Sequence, residues 1–390
     1  MNKTLLLQTA LVAATTIAFA GIASAQTKAE PIAVSVGGYM NRGIKVIDFD
    51  DGASNQVDRR GTGFYGDAEV YFNIRAVLDN GVRFGGRIEL EGSTESDQID
   101  ESYMFIEHSN YGRAEIGSTD RAASKMMYGA PVAVPGLSTM DFTGQVSPIV
   151  APSGARTTNV TMKFVNGNDD AEGLNLYSAR YFGSKAGKGL QLGLGYAPDE
   201  CQDSTGSTSP CLASTISSVN STGPANQRQL VANYLESFGA FDVGVFTAYQ
   251  RYDLETITRN LEGYTAGANV TYNLGDGSSV SLGAGYKKEE ISTSDDRKAW
   301  NVGLRYLTNG VAPGSIGVGI EYFVAKADDG TGVTRGDDKL TWIHAGVTYQ
   351  LASGIQMFGG VGQYSFDDNT GAAAQEPKNN FGIVGARLDF

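Results

Sequence analysis

The chain is short of almost everything that catalysis or a soluble core would use. It has 2 His and 2 Cys in 390 residues, so a Ser-His or Cys-His nucleophile has little to draw on. A zinc site needs more ligands than these provide. Beyond Ala25 no apolar run approaches the roughly eighteen residues a membrane-spanning helix requires, which excludes a helical membrane protein. Positive charge is scarce too: 30 Lys and Arg stand against 43 Asp and Glu, a formal net charge of −13. Such acidity argues against a nucleic-acid partner, whose phosphates need a basic patch. Long continuous apolar segments, the mark of a large soluble core, are missing as well. What is present is 51 Gly, 19 Tyr and 17 Phe, in runs where apolar and polar residues alternate. Alternation with a period of two describes a wall with one apolar and one wet face.

Residues 1–25 read as a secretory signal: Lys3 gives the positive start, Leu5 to Ile22 the apolar stretch, and Ala23-Ser24-Ala25 the small-residue cleavage site. A membrane anchor is the rival reading, and it fares worse because the stretch is Ala/Thr-rich and contains Gln8. The mature chain, 26–390, shows no linker and reads as one domain.

The repeat is clearest from Asp67 to Glu91. Ala68, Val70, Phe72, Ile74 and Ala76 form one face, Glu69, Tyr71, Asn73 and Arg75 the other, and Asp79-Asn80-Gly81 reverses the chain. Phe84, Gly86, Ile88 and Leu90 then alternate with Arg83, Arg87, Glu89 and Glu91. In the first strand, near 32–48, Arg42 falls on the apolar face. Either a bulge turns it inward, or the alternation slips at Gly43, or this strand faces a neighbouring subunit. Sixteen strands follow from the whole pattern, with short turns such as Phe238-Gly239-Ala240 and Gly275-Asp276-Gly277 at one rim and long polar loops at the other. The expected fold is all-β, a 16-stranded antiparallel transmembrane β-barrel with both termini at the short-turn, periplasmic rim.

Two loops stand out. Residues 118–172 interrupt the repeat with Pro131, Pro135, Pro148 and Pro152, so they form no regular strand, yet Met126, Tyr128, Val134, Leu137 and Phe142 predict packing rather than disorder. We expect this insert to fold into the barrel and narrow it. The second loop, 199–226, is Ser/Thr-rich and holds Cys201 and Cys211, which in an exported chain pair most simply as one disulfide stapling the loop. Paired acids recur at the long-loop rim, among them Asp328-Asp329 and Asp367-Asp368. They are candidates for binding Ca²⁺ or Mg²⁺ and bridging to lipopolysaccharide phosphates; solvated acids that keep the rim soluble are the simpler reading.

Four stretches together resemble the general-diffusion porins of Gram-negative bacteria, most closely the alphaproteobacterial type: VGGYMNRGIKVIDFDDG, GSTDRAASKMMYGAP, LNLYSARYFGSKAGKGLQLGLGYAPD and the terminal GIVGARLDF. The resemblance implies an outer-membrane homotrimer, with the first and last strands at the subunit contact. It also implies a terminal strand, Ala386, Leu388 and Phe390, read by the barrel assembly machinery. In that family, acids of the infolded loop face wall arginines across the narrowest point. The matching positions are Asp120 and Asp141 in the loop, and Arg75, Arg87, Arg113 and Arg387 on the wall. Arg121, Lys125 and Arg156 lie in the same loop and depart from that pattern.

The function implied is passive diffusion of small hydrophilic solutes and ions through a water-filled pore, weakly selective for cations, with no cofactor and no enzyme chemistry. A channel for sugars would want an inward aromatic track, and one for phosphate or carboxylates an inward Lys/Arg excess; neither stands out, though Tyr71 and Tyr103 are candidates to point inward. A structural or adhesive surface barrel is the remaining alternative, and an infolded loop would serve no purpose in it. His108 and His344 read as plain rim or lining residues. Gly283-Ala284-Gly285 lies within a strand and is no phosphate cradle.

Overall fold

The computed structural model describes residues 28–48, 61–92, 99–140 (except 133 and 136), 161–164, 169–198, 224–254, 260–292, 295–329, 337–367 and 377–390. The expected signal, 1–25, lies outside these, as do Asp141, Cys201, Cys211 and Asp368.

Alternating residues build an antiparallel meander. The first five strands are β1 (Glu30–Asp48), β2 (Thr62–Val77), β3 (Arg83–Glu91), β4 (Ile99–His108) and β5 (Gly112–Ser118). After the insert come β6 (Glu172–Ser178), β7 (Tyr181–Phe182), β8 (Gly189–Ala197), β9 (Pro224–Phe238) and β10 (Phe241–Leu254). The rest are β11 (Asn260–Asn273), β12 (Ser279–Ser292), β13 (Asp295–Leu307), β14 (Ile316–Asp329), β15 (Asp338–Ala352), β16 (Ile355–Asp367) and β17 (Lys378–Asp389). The short β6 and β7 both pair with β8 and form one interrupted stave, so the wall has sixteen staves. Arg180 sits at the interruption and donates to the Gly189 carbonyl and Asn233 Oδ1, both at 3.0 Å.

Every stave pairs with its sequence neighbours, and β1 with β17 closes the cylinder from Tyr39↔Asp389 to Asp48↔Asn380. Closure leaves no sheet edge in lipid along that seam. At its lower end Gly38 N donates to Phe390 O at 3.0 Å and Phe390 N to Gly38 O at 3.1 Å. The terminal Leu388 and Phe390 lie exposed on the outer face.

Arg42 keeps its outward position. The β1–β2 register runs unbroken from Ala33↔Arg75 to Val46↔Thr62, so neither a bulge nor a slip at Gly43 turns it inward. Its guanidinium lies over Gly66, in an outer-face cavity of about 540 Å³ lined also by Ile44, Phe64 and Tyr65.

The outer face is apolar, with Leu282, Leu304, Ile320 and Val361 exposed. Its Tyr and Trp side chains are unevenly spread. On β10 to β15, Phe241, Tyr272, Tyr306 and Tyr349 flank the short-turn rim, and Tyr249, Tyr264, Tyr286 and Trp300 form a second row higher up. Such paired rows mark the two membrane interfaces. Among the described residues, β16, β17 and β1 to β5 carry no outward Tyr or Trp.

Leu304 lies between the two rows. Leu304→Arg should lower barrel stability by about 2–4 kcal/mol in a bilayer unfolding titration. An unchanged midpoint would mean that this face does not meet lipid.

Candidate functional site

The insert leaves β5 at Ser118 and rejoins at Glu172, close to the expected bounds. Its prolines keep it out of the sheet, so its backbone groups need other partners. Side chains of the inner wall provide them. Asn175 Oδ1 accepts from Ala122 N at 3.1 Å and Gln229 Oε1 from Ala123 N at 2.9 Å, fixing the start of the short helix α1 (Ala122–Lys125). Asn233 Nδ2 then donates to Met126 O and Asn269 Nδ2 to Gly129 O, both at 3.1 Å.

At the root, Arg121 is fully buried. Its guanidinium donates to four carbonyls: Thr119 O, Ala171 O at 2.8 Å, and Gly117 O and Tyr196 O at 3.3 Å. It ties both ends of the insert to β5 and β8. Ser118 Oγ adds a bond to the Asp170 carbonyl. Arg121 is therefore a structural pin rather than a lumen cation.

The insert then follows the inner wall from β8 to β16, and glycines let it approach. A Cβ at Gly193 would strike Met126, at Gly244 the Tyr128 ring, and at Gly267 and Gly283 the carbonyls of Tyr128 and Gly129. One at Gly346 would strike Val134, and Gly360 is met by Leu137. The return leg is held by Met162 N to Thr139 O at 2.9 Å and by Lys287 Nζ to Lys163 O at 2.5 Å. Residues 161–164 belong to the insert and form no strand.

The insert root faces the inner wall of β2 to β5, which is crowded with charge. Arg87, Arg113 and Arg387 each meet a carboxylate two residues further along their own strand, and Glu107 of β4 adds a cross-strand partner to Arg83 at 2.7 Å and to Arg113 at 3.7 Å. Arg87 pairs with Glu89 and stacks on Tyr71 at 3.8 Å; Arg113 meets Glu115 at 2.7 Å and stacks on Phe105 at 3.8 Å. Arg387 meets Asp389 at 2.8 Å and lies 4.2 Å over Tyr39. Arg75 is exposed, beside Ala33 and Gly85. Asp120 does not face these arginines. It lies with Glu101 and Asp170, and its ion-pair partner is Lys163 of the return leg, at 3.3 Å. Tyr71 and Tyr103 do point inward, Tyr103 beneath Lys125 at 4.4 Å.

A bulge supplies charge that strict alternation does not foresee. The β3–β4 register shifts between Ile88 and Leu90, and both Asp100 and Glu101 turn to the lumen. Asp100 joins Glu69 and Glu89, while Glu69 also groups with Asp67 and Glu91; in each trio the carboxylate oxygens lie within 4.8 Å of one another. Tyr39 Oη lies 2.6 Å from Asp67 Oδ2 and 2.8 Å from Glu69 Oε1, its one hydrogen shared between the two carboxylates. Among the described residues the grouped carboxylates thus stand on the lumen wall. At the outer rim Asp367 lies opposite Lys339, and Asp328 and Asp329 lie opposite Asp296 and Asp295.

At the insert root, burial and the neighbouring carboxylates push Asp169 up to about 7 and Asp170 up to about 9, with Lys163 partly offsetting the rise at Asp169. Protons on these two groups favour the docked root. That contribution is complete below the ordinary carboxylate range and is lost as pH rises through about 7 and then about 9.

A profile of the Gram-negative porin family matches residues 9–369. The chain belongs to that family. The fold agrees: the anion-selective porin from Comamonas acidovorans superposes with a TM-score of 0.59 at 16% identity, covering 92% of this chain and 100% of that one. OmpF of Salmonella typhi, in complex with daunomycin, gives a TM-score of 0.57 at 15% identity over 92% of this chain and 97% of that one. The trimer form of Vibrio cholerae OmpT gives 0.56 at 13% identity over 93% and 100%. No curated protein sequence matches the chain. The porin is thus an outer-membrane β-barrel, and the insert with the wall of β2 to β5 is its candidate constriction.

The pin at the root predicts a separable phenotype. Arg121→Ala leaves buried carbonyls without donors, so protease should cut within 119–171 under conditions where the unaltered porin resists. The barrel should keep its heat-modifiable mobility on gels. Equal resistance of the two proteins would show that the guanidinium does not hold the insert.

Proposed function

We propose that the porin is a non-enzymatic channel for passive diffusion of small hydrophilic solutes, and that its constriction favours cations. The carrying observation is the charge of the β2 to β5 wall. Arg87 and Arg113 are matched by Glu89 and Glu115 on their own strands, while Asp67, Glu69, Asp100 and Glu101 add further carboxylates toward the lumen. A water-filled passage lined by acid lowers the barrier for cations and raises it for anions. No chemistry on the solute is needed. Residues 1–25 serve export, and the termini stand at the periplasmic rim together with the short turns.

We also propose that the working form is a homotrimer with β16, β17 and β1 to β5 at the contact. The aromatic rows of β10 to β15 support this, because the opposite side of the wall lacks them. Arg42 supports it too: a guanidinium facing acyl chains near the midplane costs about 2–4 kcal/mol, whereas a protein partner can solvate it. Leu388 and Phe390, exposed on the outer face of β17, fit recognition by the assembly machinery, and lipopolysaccharide is the expected lipid neighbour at the long-loop rim.

The test is the reversal potential of the purified porin in a planar bilayer under a KCl gradient. It should be cation-directed and should weaken when Asp100→Asn and Glu101→Gln are combined. Absence of any conductance would overturn the diffusion reading, and an anion-directed potential would overturn the selectivity.

The raised carboxyls at the root add a pH dependence with a fixed sign. Charge appears on Asp169 near pH 7 and on Asp170 near pH 9, so cation preference should rise from pH 6 to pH 10. Asp170→Asn should flatten the upper part of that curve. A preference that falls over this range would contradict the assignment.

A further inference from the structure

Beneath the insert, across the lumen from the acids of β2 to β5, Arg305 of β13 stands among neutral side chains. The insert meets β13 at Gly303 through Ala130 and Pro131, and β15 at Gly346 through Val134. The next inward residues toward the short turns, two along on each strand, are Arg305 and Thr348. Between them β14 sets Gly319 opposite Arg305 and Gly317 opposite Thr348. A Cβ at Gly317 would lie 2.5 Å from Thr348 Oγ1 and 3.3 Å from Arg305 Nη2. Hydroxyl and guanidinium therefore converge over a bare stretch of β14, in a recess that a larger residue at 317 would fill.

Among the described residues Arg305 makes no hydrogen bond and no ion pair, and its Nε is a buried orphan. Thr348 is 3% exposed and its hydroxyl makes no hydrogen bond among the described residues either. Unmade bonds of this kind ask for an explanation. The surrounding wall does not supply one. On the short-turn side of the insert, the inward face of β11 to β16 carries Asn269, Thr271, Ser281, Gln350 and Gln356, and no acid among the described residues. Glu321, two residues above Gly319, is turned to the insert, where Thr139 and Asn301 hold its Oε1.

A guanidinium fork with free donors beside a free hydroxyl matches one ligand chemistry. A carboxylate accepts two parallel N–H bonds from the fork and a third from the hydroxyl. The route to the recess narrows the choice of solute. From the long-loop rim a solute passes the carboxylates of β2 to β5, which raise the barrier for a simple anion. A zwitterion offers its cation to that wall and still brings a carboxylate to the other side.

We propose that Arg305 and Thr348 dock the carboxylate of zwitterionic solutes, amino acids and their N-alkylated relatives, as they leave the constriction for the short-turn rim. The dock is one guanidinium beside a water-filled passage, so residence is short and the solute moves on. Arg305 is thereby a specificity residue of the channel. The assignment rests on the proposed diffusion and on the charge of the β2 to β5 wall.

The test is the single-channel K⁺ current of the full-length porin at neutral pH, with glycine betaine or choline added on the long-loop side. Both carry a permanent trimethylammonium group, and choline has a hydroxyl where betaine has its carboxylate. Betaine should reduce the current, with a half-blocking concentration about threefold higher in Arg305→Gln, the scale of one exposed ion pair. Thr348→Val keeps the side-chain shape without the hydroxyl and should shift the block the same way by less. Choline should block all three porins equally, and inorganic phosphate should need a higher concentration than betaine. Equal betaine block with and without Arg305 would overturn the dock, as would a choline block that depends on Arg305. Phosphate blocking as readily as betaine, with the same dependence on Arg305, would make the recess a general anion site and overturn the preference for zwitterions. An anion-directed reversal potential beside an Arg305-dependent betaine block would overturn the role of the acid wall and uphold the carboxylate dock. Absence of any conductance would overturn the diffusion reading and the dock together.

Discussion

The constraint on which the rest depends is that no backbone polar group can be left without a partner where water is absent. In the wall, closure of β1 on β17 meets it, with the last rung made by the final residue, Phe390, on Gly38. The insert meets it differently. Its prolines deny it a ladder, and so the wall reaches out with amides, Asn175, Gln229, Asn233 and Asn269, and with the carbonyl-binding guanidinium of Arg121 next to the root. Contact at hydrogen-bond distance between two backbones needs room, and that is why glycine stands on the inner face wherever the insert passes. The glycines at 193, 244, 267, 283 and 346 are thus a consequence of having a second chain segment lie against the first.

The wall itself was legible. Alternation in Asp67 to Glu91, the Asn80-Gly81 turn and the prolines after Pro131 fix the strands, the rims and the limits of the insert, because period and turn chemistry are local properties. Arg42 shows how a local oddity resolves: an unbroken register on both sides leaves it outward, so its misfit reports on what lies beyond the wall. The site was less legible, for a physical reason. Asp100 is turned to the lumen by a bulge, and a bulge depends on the pairing of two strands rather than on either sequence. Arg121 carries a charge in the sequence but acts through its five donors, which only the folded root reveals. The glycine line reads in sequence merely as weakened strands, since what it accommodates lies more than fifty residues away. Cys201, Cys211 and Asp141 fall outside the described residues, so the structure adds nothing to their expected roles.

One signal was present and points the other way from the family pattern. Arg87 and Glu89, like Arg113 and Glu115, are two apart and therefore share a face, and cross-face pairing with the insert was never needed to satisfy them. Once each guanidinium is neutralised by its own strand and its plane rests on Tyr71 or Phe105, it contributes little net field to the lumen. On the proposed reading the acids that remain set the sign of the potential; of the insert's own lysines, Lys163 faces Asp120 and Lys125 meets Glu115 of the wall at 3.1 Å.

The two sides of the lumen accordingly do different work. At the root, Arg121 donates to four carbonyls, and burial together with the neighbouring acids favours the protonated form of Asp169 and Asp170. Further along, Val134 and Leu137 rest against glycine, and Thr139 is held by Glu321, by Asn301 at 2.9 Å and by Met162 N at 2.9 Å. The acids of the root are therefore held by the same turn that fixes the start of the insert, Asp169 accepting from Arg121 N at 3.2 Å and from Ser124 Oγ at 2.8 Å.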